Sequence, residues 1–403
     1  MTQIHNNASL NNSAFHSELE RLKNDFDSIE PVLELTVKDD SMDVEGFVVV
    51  WNTSIAKSGP LFENQKGCGK GGTRIKDGLT LEEVRRLARA MAEKNAAAGL
   101  PLGGAKSGLN ANPDAPDYEA KWKRFVRLVK DEGVLYEDGG VFGGFGYDIG
   151  GKPPLNALWT IEELGSGRSF TGKPIGKGGT DYDKIGIAGL GVAVAGKTLM
   201  ELHGQPAQGS TFSVQGVGAM GSAVIRYFSE YGTILKYISD PKYGGTWKFE
   251  SGGASKQFIE TPTLEILQNE AVKISSENEG ALFEDVDIIF PCAMEDTITQ
   301  DNVNRIQAKY MSEGANNPTT GKAHELLFEK GIKVVPDILA NPGGIIAAYV
   351  EMTSSSDNKS QEAIDITKKR VASNVEELVT NVKKFNTSPD LVADYMTYKK
   401  ILE

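Results

Sequence analysis

The segment TFSVQGVGAMGSAVIRYFSEYG, residues 211–232, restricts the possible folds of this chain more than any other. A β-branched and aromatic run leads into Gly216, Gly218 and Gly221, and an apolar helical pattern follows, so the spacing predicts a strand, a glycine turn and a helix. The next apolar run, ILKYISD, ends in Asp240 about twenty residues on and completes a βαβ unit. In such a unit the first glycine makes the turn, the second lets a pyrophosphate approach the backbone, and the third lets helix and strand pack closely. Ala219 and Met220 open the helix. The segment is expected to bind a dinucleotide, with Asp240 accepting from the adenosine ribose hydroxyls. A carboxylate there repels a 2′-phosphate, which predicts NAD, while Lys242 keeps NADP possible.

Runs at 286–293, 309–315 and 333–340 read as further parallel strands whose ends line a cleft. Upstream, a loop rich in glycine and lysine at 171–184 marks a domain boundary, so residues 1–185 form a first lobe and 186–344 a second. In the first lobe, VEGFVVVWN at 44–52 predicts a strand, and Thr80 with Glu83 a capping box opening a helix that Gly99 ends. After Pro101 the chain is expected to turn at Gly103 and Gly104 and to present Lys106 at a strand end. A helix over 115–135 leads to GGVFGGFGYDIG, whose single carboxylate is Asp148. Near the N-terminus, Ser13 is a plausible helix cap, and Phe15, Leu19, Leu22, Phe26 and Ile29 make one apolar stripe whose partner is its own domain or another subunit.

Composition limits the chemistry. With 55 acidic against 43 basic residues the net charge is −12, which argues against nucleic acid or an anionic membrane as partner and points to a small molecule. No apolar run approaches the roughly 20 residues of a membrane span, and two cysteines, Cys68 and Cys292, suit a reducing cytoplasm. Four histidines leave little for a histidine metal site, and no metal is expected. Lysine and carboxylate must carry any proton chemistry. Lys70, Lys94 and Lys106 all lie in or beside glycine- or alanine-rich segments. Singly, each reads as a solvated lysine. Where two converge, mutual repulsion and burial lower a lysine pKa towards the range of a base. Asp148 is a turn residue by default, and within a site it can carry an amine's proton.

Six segments occur in one order: GKGGTRI (69–75), EKNAAAGLPLGGAKSG (93–108), GYDIG (146–150), GVGAMG (216–221), EGANNPTT (313–320) and PDILANPGG (336–344). On these the chain resembles the glutamate/leucine/phenylalanine/valine dehydrogenase superfamily from about residue 44 to 352. The resemblance implies an α/β fold of two lobes: a mixed-sheet lobe that binds substrate and forms homo-oligomers, and a Rossmann-type doubly wound lobe, with a cleft between. The C-terminal helices, 345–403, are expected to pack back on the first lobe. It also implies that Lys106 activates water, that Lys94 holds the substrate α-carboxylate, that Asp148 transfers protons, and that Asn316 and Asn341 lie near the nicotinamide and its ribose.

For the substrate, Lys70 stands where glutamate-type members pair a lysine with the side-chain carboxylate, whereas Ala348 replaces the serine that helps to hold it. Oxidative deamination of glutamate is the leading expectation. The same reaction on leucine, valine, phenylalanine or tryptophan is the alternative, and a non-catalytic dinucleotide-sensing relative is a third, motivated by Ala348 and by Ala188, which stands where the family usually has a cofactor-contacting threonine.

Overall fold

The computed structural model describes residues 2–51, 54–57, 67–250 and 252–403, and the chain divides into two compact units. One comprises Glu20–Tyr182, Ile345–Ala363 and Met396–Glu403; the other comprises Met1–Leu19, Asp183–Gly344 and Ile364–Tyr395.

The first unit is built on a mixed sheet of β1 (Leu33–Asp39), β2 (Val44–Trp51), β3 (Gly69–Lys70), β4 (Thr73–Lys76) and β5 (Gly103–Asn110). The order is β1-β2-β5-β3, with β4 also on β5; β2 runs antiparallel to β1 and β5, while β3 and β4 run parallel to β5. The β2 strand ends at Trp51, and Asn52 lies outside the described residues. One face carries Val48, Val50, Ala105 and Leu109 against the helix Tyr118–Asp131, whose Trp122, Phe125 and Val126 join Phe142, Phe145 and Phe170 in the core. The other face carries Phe47 and Val49 against Val84 and Ala88 of the helix Leu81–Ala97. Two short parallel strands, β6 (Phe145–Gly146) and β7 (Phe170–Thr171), lie outside this sheet.

Two local expectations change. Gly103 and Gly104 form no turn; they begin β5, and Lys106 lies inside the strand. The reason is packing: a Cβ at Gly104 would stand 2.1 Å from Ala88 O, so glycine is what lets the helix Leu81–Ala97 sit on the sheet. The turn comes earlier, at Gly99 with φ 65°. Ser13 caps nothing, because the first helix runs from Thr2 to Asp27 with no glycine or proline to interrupt it. Its stripe is covered within the chain. Phe15 packs against Phe385 and Tyr395, and Phe26 against Tyr398 and, edge-on, against Trp51.

The second unit holds a seven-stranded sheet of β8 (Thr211–Gln215), β9 (Ile234–Asp240), β10 (Gly245–Phe249), β11 (Ala271–Ser275), β12 (Ile288–Pro291), β13 (Tyr310–Ser312) and β14 (Lys333–Val335). The order β11-β10-β9-β8-β12-β13-β14 is parallel from β9 to β14, and β10 is antiparallel to both its neighbours. This is the doubly wound, Rossmann-type arrangement, with the order reversing between β8 and β12. Residues up to Leu19 and residues 364–395 belong to this unit, whereas the sequence put 1–185 and the whole 345–403 stretch with the first lobe. Val371 packs beside Gly191 of the helix Ile187–Leu202, a contact between distant segments that no local pattern announces. Among the described residues no helix is long and apolar enough to cross a membrane, and no three His, Cys, Asp or Glu side chains gather as a metal site.

Candidate active site

Strand alternation decides where Lys106 goes. It pairs with Val49 in register, on the face covered by the helix Leu81–Ala97. There it is 5% exposed, and its Nζ stands 2.8 Å from Asp148 Oδ2. Asp148 reaches this position because residue 72 is glycine; a Cβ there would lie 2.6 Å from Tyr147 O and 3.2 Å from Asp148 Cβ. Arg74, on β4, donates from Nε to the same Asp148 oxygen at 2.9 Å and pairs with Glu83 at 3.3 Å. Glu83 also accepts from Lys76, while Thr80 accepts the Glu83 N–H at 3.2 Å to cap the helix.

Burial lowers the Lys106 pKa, and Asp148 opposes the shift without reversing it. Burial works to raise the Asp148 pKa, but Lys106 and Arg74 outweigh it and hold the carboxyl below its ordinary value. The result is a carboxylate held in its ionised form beside a lysine that loses a proton more easily than a solvated lysine does. Lys94, half-buried in the last turn of its helix, adds its charge to those acting on Lys106.

Lys70 is 3% exposed and donates to the carbonyls of Gly144 at 2.8 Å and Phe145 at 2.5 Å. Burial, with added repulsion from Lys173 and Lys106, brings its pKa down to about 7, against a smaller raising effect of Cys68. Asn95 fixes this neighbourhood by donating to Lys70 O at 3.0 Å and Gly103 O at 2.8 Å. The three lysines of the sequence reading therefore act on one another electrostatically: Lys94 on Lys106, and Lys106 on Lys70.

Ala348 is buried on the helix Gly343–Thr353 and shares its face with Glu351, one turn on. The Glu351 side chain is fully buried and accepts from Gly172 N, Thr180 N and Thr180 Oγ1 at 2.8–3.0 Å, and from Lys173 Nζ at 3.0 Å. Sequence reasoning missed Arg74, Lys173 and Glu351, and it read Glu83 only as half of a capping box, not as the partner of Arg74 and Lys76. Arg74 lies within GKGGTRI, so its motif was visible. Nothing in the sequence pairs Lys173 with a glutamate so far along the chain.

In the second unit the glycine turn has the form its spacing predicts. Gly216 takes φ 85°, with its Cβ position 2.7 Å from Ala293 Cβ; a Cβ at Gly221 would fall 1.8 Å from Gly216 O; one at Gly218 would meet open space. Gly218 caps the helix Ala219–Ser229, and Ala219 is exposed beside it. Met220 and Cys292 both border Gly314, bringing the ends of β8, β12 and β13 together. Asp240 ends β9, accepting Val217 N–H at 2.6 Å and Lys242 N–H at 2.7 Å. Asn341 donates to Gly314 O at 3.1 Å and Asn316 Oδ1 at 3.2 Å. Asn316 is exposed, as is Gly218. Both cysteines are free and buried; burial pushes Cys68 up to about 12 and raises Cys292 as well, so neither is a ready thiolate.

A model of the family described as Glutamate/Leucine/Phenylalanine/Valine dehydrogenase matches residues 178–403, and one described as Glu/Leu/Phe/Val dehydrogenase, dimerisation domain, matches residues 37–132. The glutamate dehydrogenase of Aeropyrum pernix is 32% identical over 336 residues, spanning 80% of this chain and 78% of the relative. The NADP(+)-dependent glutamate dehydrogenase of Pyrobaculum calidifontis is 33% identical over 298 residues, 70% of this chain and 68% of the relative. The crystal structure of glutamate dehydrogenase from Peptoniphilus asaccharolyticus shares the fold, with a TM-score of 0.76 at 22% identity over 98% of this chain and 97% of that one. With its six motifs in order, its lysine–aspartate pair inside a mixed-sheet unit and its glycine turn on a parallel sheet, the chain belongs to the glutamate/leucine/phenylalanine/valine dehydrogenase family.

Proposed function

We propose that this amino acid dehydrogenase catalyses the reversible oxidative deamination of L-glutamate to 2-oxoglutarate and ammonium, with NAD as the favoured dinucleotide. The observation that carries the substrate is Lys70. Its bonds among the described residues are to two main-chain carbonyls, and an ammonium has three N–H groups, so the third is left for a carboxylate brought by the ligand. A buried ammonium beside an apolar side chain would be left short of partners. Ala348 favours a second reading, an apolar amino acid, because it supplies no hydroxyl to the same carboxylate.

The second unit fits a dinucleotide. Open space at Gly218 beside the start of the helix Ala219–Ser229 leaves room for a pyrophosphate on main-chain N–H groups, and Asp240 stands at the end of the next strand for ribose hydroxyls. The carboxylate supports NAD over NADP. When bound, the dinucleotide supplies the hydride acceptor for the substrate Cα, and the hydride donor in reverse.

Lys94 holds the substrate α-carboxylate. Asp148 takes a proton from the substrate ammonium, since only the neutral amine can lose its Cα hydride and become an iminium. Lys106 in its uncharged form removes a proton from the water that attacks the iminium carbon. Asp148 returns its proton to the carbinolamine nitrogen, and ammonia departs as the carbinolamine hydroxyl loses its proton to solvent; the ammonia is then protonated by solvent, and Lys106 releases to solvent the proton it took from water. The lowered Lys106 pKa and the 2.8 Å contact to Asp148 support these roles. The family's dimerisation-domain match over residues 37–132 supports a homo-oligomer formed through that region.

The test follows NADH and NADPH consumption with ammonium and a panel of 2-oxo acids: 2-oxoglutarate, 4-methyl-2-oxopentanoate, phenylpyruvate and indolepyruvate. Highest kcat/KM on 2-oxoglutarate supports the glutamate reading. Preference for an apolar acid replaces it with the second one, and silence on the whole panel overturns both.

A further inference from the structure

Behind Asn316 and Asn341 lies a buried acid–base pair with no role in the steps above. Glu313, 1% exposed, follows the end of β13, and His324, 6% exposed, faces it from the helix Gly321–Glu329. His324 Nε2 is 3.4 Å from Glu313 Oε1, an ion-pair distance longer than a well-formed hydrogen bond. The other oxygen, Oε2, accepts the main-chain N–H of Asp337 at 3.1 Å, at the start of the helix Asp337–Ala340 that Asn341 closes. Asp337 Oδ2 in turn accepts the N–H of Asn317 at 3.1 Å, and Asn341 Nδ2 donates to Gly314 O and Asn316 Oδ1. One chain of contacts therefore runs from His324 through Glu313 to both asparagines.

The charged groups facing Glu313 are His324, from the helix Gly321–Glu329, and Asp337, from the helix Asp337–Ala340; the Thr319 hydroxyl faces it from the intervening turn. Burial raises the Glu313 pKa, the His324 charge opposes this, and the Asp337 charge adds to it. With a proton on the pair, the carboxylate has a cation or is itself neutral. Without it, the buried carboxylate keeps the Asp337 N–H and the facing Thr319 hydroxyl but meets the Asp337 charge with no cation opposite, and the repulsion acts on the joint that holds Asn341 to Asn316.

We infer that His324 and Glu313 share one proton and act together as positioning residues for Asn316 and Asn341, tying dinucleotide affinity to the protonation of the pair. This rests on the reading that the two asparagines face the dinucleotide.

The experiment measures NADH and NADPH binding to the full chain by fluorescence from about pH 6 to about pH 9, for wild type and His324→Gln. The expected result is a loss of wild-type affinity of about fivefold as pH rises through the titration of the pair, and a profile without that step in the variant. A merely structural histidine lowers affinity by one factor at every pH, so parallel profiles overturn the inference. If His324→Gln does not fold, wild-type histidine NMR decides, since the chain has only four histidines. Dinucleotide saturation should raise the titration midpoint of one buried histidine, and four unmoved midpoints overturn the inference. If wild type binds neither NADH nor NADPH, the dinucleotide reading itself fails, an outcome distinct from binding with parallel profiles.

Discussion

Lys106 Nζ and Asp148 Oδ2 stand 2.8 Å apart, in a unit where burial lowers the lysine pKa and two cations lower that of the aspartate. Each group is thereby shifted towards the protonation state that its proposed step needs. Replacing Lys106 by alanine should lower kcat by about 10³-fold, in line with the usual contribution of a positioned base. Dinucleotide binding, measured by fluorescence, should persist, because the glycine turn belongs to the other unit. An unchanged kcat would remove Lys106 from the chemistry.

Asp148 also bears on stability. Its folded pKa is lowered, so its contribution is complete above the ordinary carboxylate pKa and is lost as pH falls through the lower folded value. Asp148→Asn should therefore melt below wild type at neutral pH, with the gap closing in acid below about pH 4. A gap that is constant with pH would show that the carboxylate charge is not what matters.

Stability rises with pH for Lys70 too, but here the shift disfavours the charged form, so the charged lysine costs stability instead of adding it. Its pKa is about 7 in the folded chain against 10.5 ordinarily, so the unfolded chain binds more protons between those values and stability rises with pH across that window. Lys70→Met should gain most over wild type below pH 7 and lose the advantage by about pH 10. Thermal melts of the two proteins across this range check it, and curves of identical shape would contradict it.

The buried pair of Lys173 and Glu351 ties the 172–180 segment to the helix bearing Ala348. Removing only the lysine leaves an uncompensated carboxylate, so Lys173→Met should destabilise by about 3 kcal/mol in denaturant unfolding. A change near zero would mean that the main-chain donors to Glu351 suffice without the lysine.

Gly218 and Gly221 separate function from packing within one motif. A Cβ at 218 meets open space, so Gly218→Ala should leave the melting temperature nearly unchanged while weakening dinucleotide binding about tenfold. Gly221→Ala places its Cβ against Gly216 O and should lower the melting temperature itself. The reverse pattern would mean that the turn does not carry the pyrophosphate.

Local signals in the sequence were reliable where short-range physics decides. The βαβ unit, the Thr80 cap and the parallel strands β12 to β14 follow from periodicity and turn chemistry, except that the run at 333–340 is strand only over Lys333–Val335 and turns at Pro336 into the helix Asp337–Ala340. Position 104 shows the limit: glycine spacing suggested a turn, but that glycine serves the close approach of the helix Leu81–Ala97, which is a tertiary fact. For the same reason the motif GKGGTRI contained Arg74, while its aim at Asp148 depends on Gly72 and on a segment more than seventy residues away. The assignment of residues 364–395 to the second unit depends on contacts such as that of Val371 beside Gly191, which no local pattern contains.

The most direct test of the substrate assignment is the ratio of kcat/KM for 2-oxoglutarate to that for 4-methyl-2-oxopentanoate, in wild type and in Lys70→Met. If Lys70 receives the side-chain carboxylate, the ratio should favour 2-oxoglutarate in wild type and fall by about 10²-fold in the variant, the loss expected for a buried charge-assisted bond. A ratio that does not change would show that Lys70 takes no part in selecting the substrate.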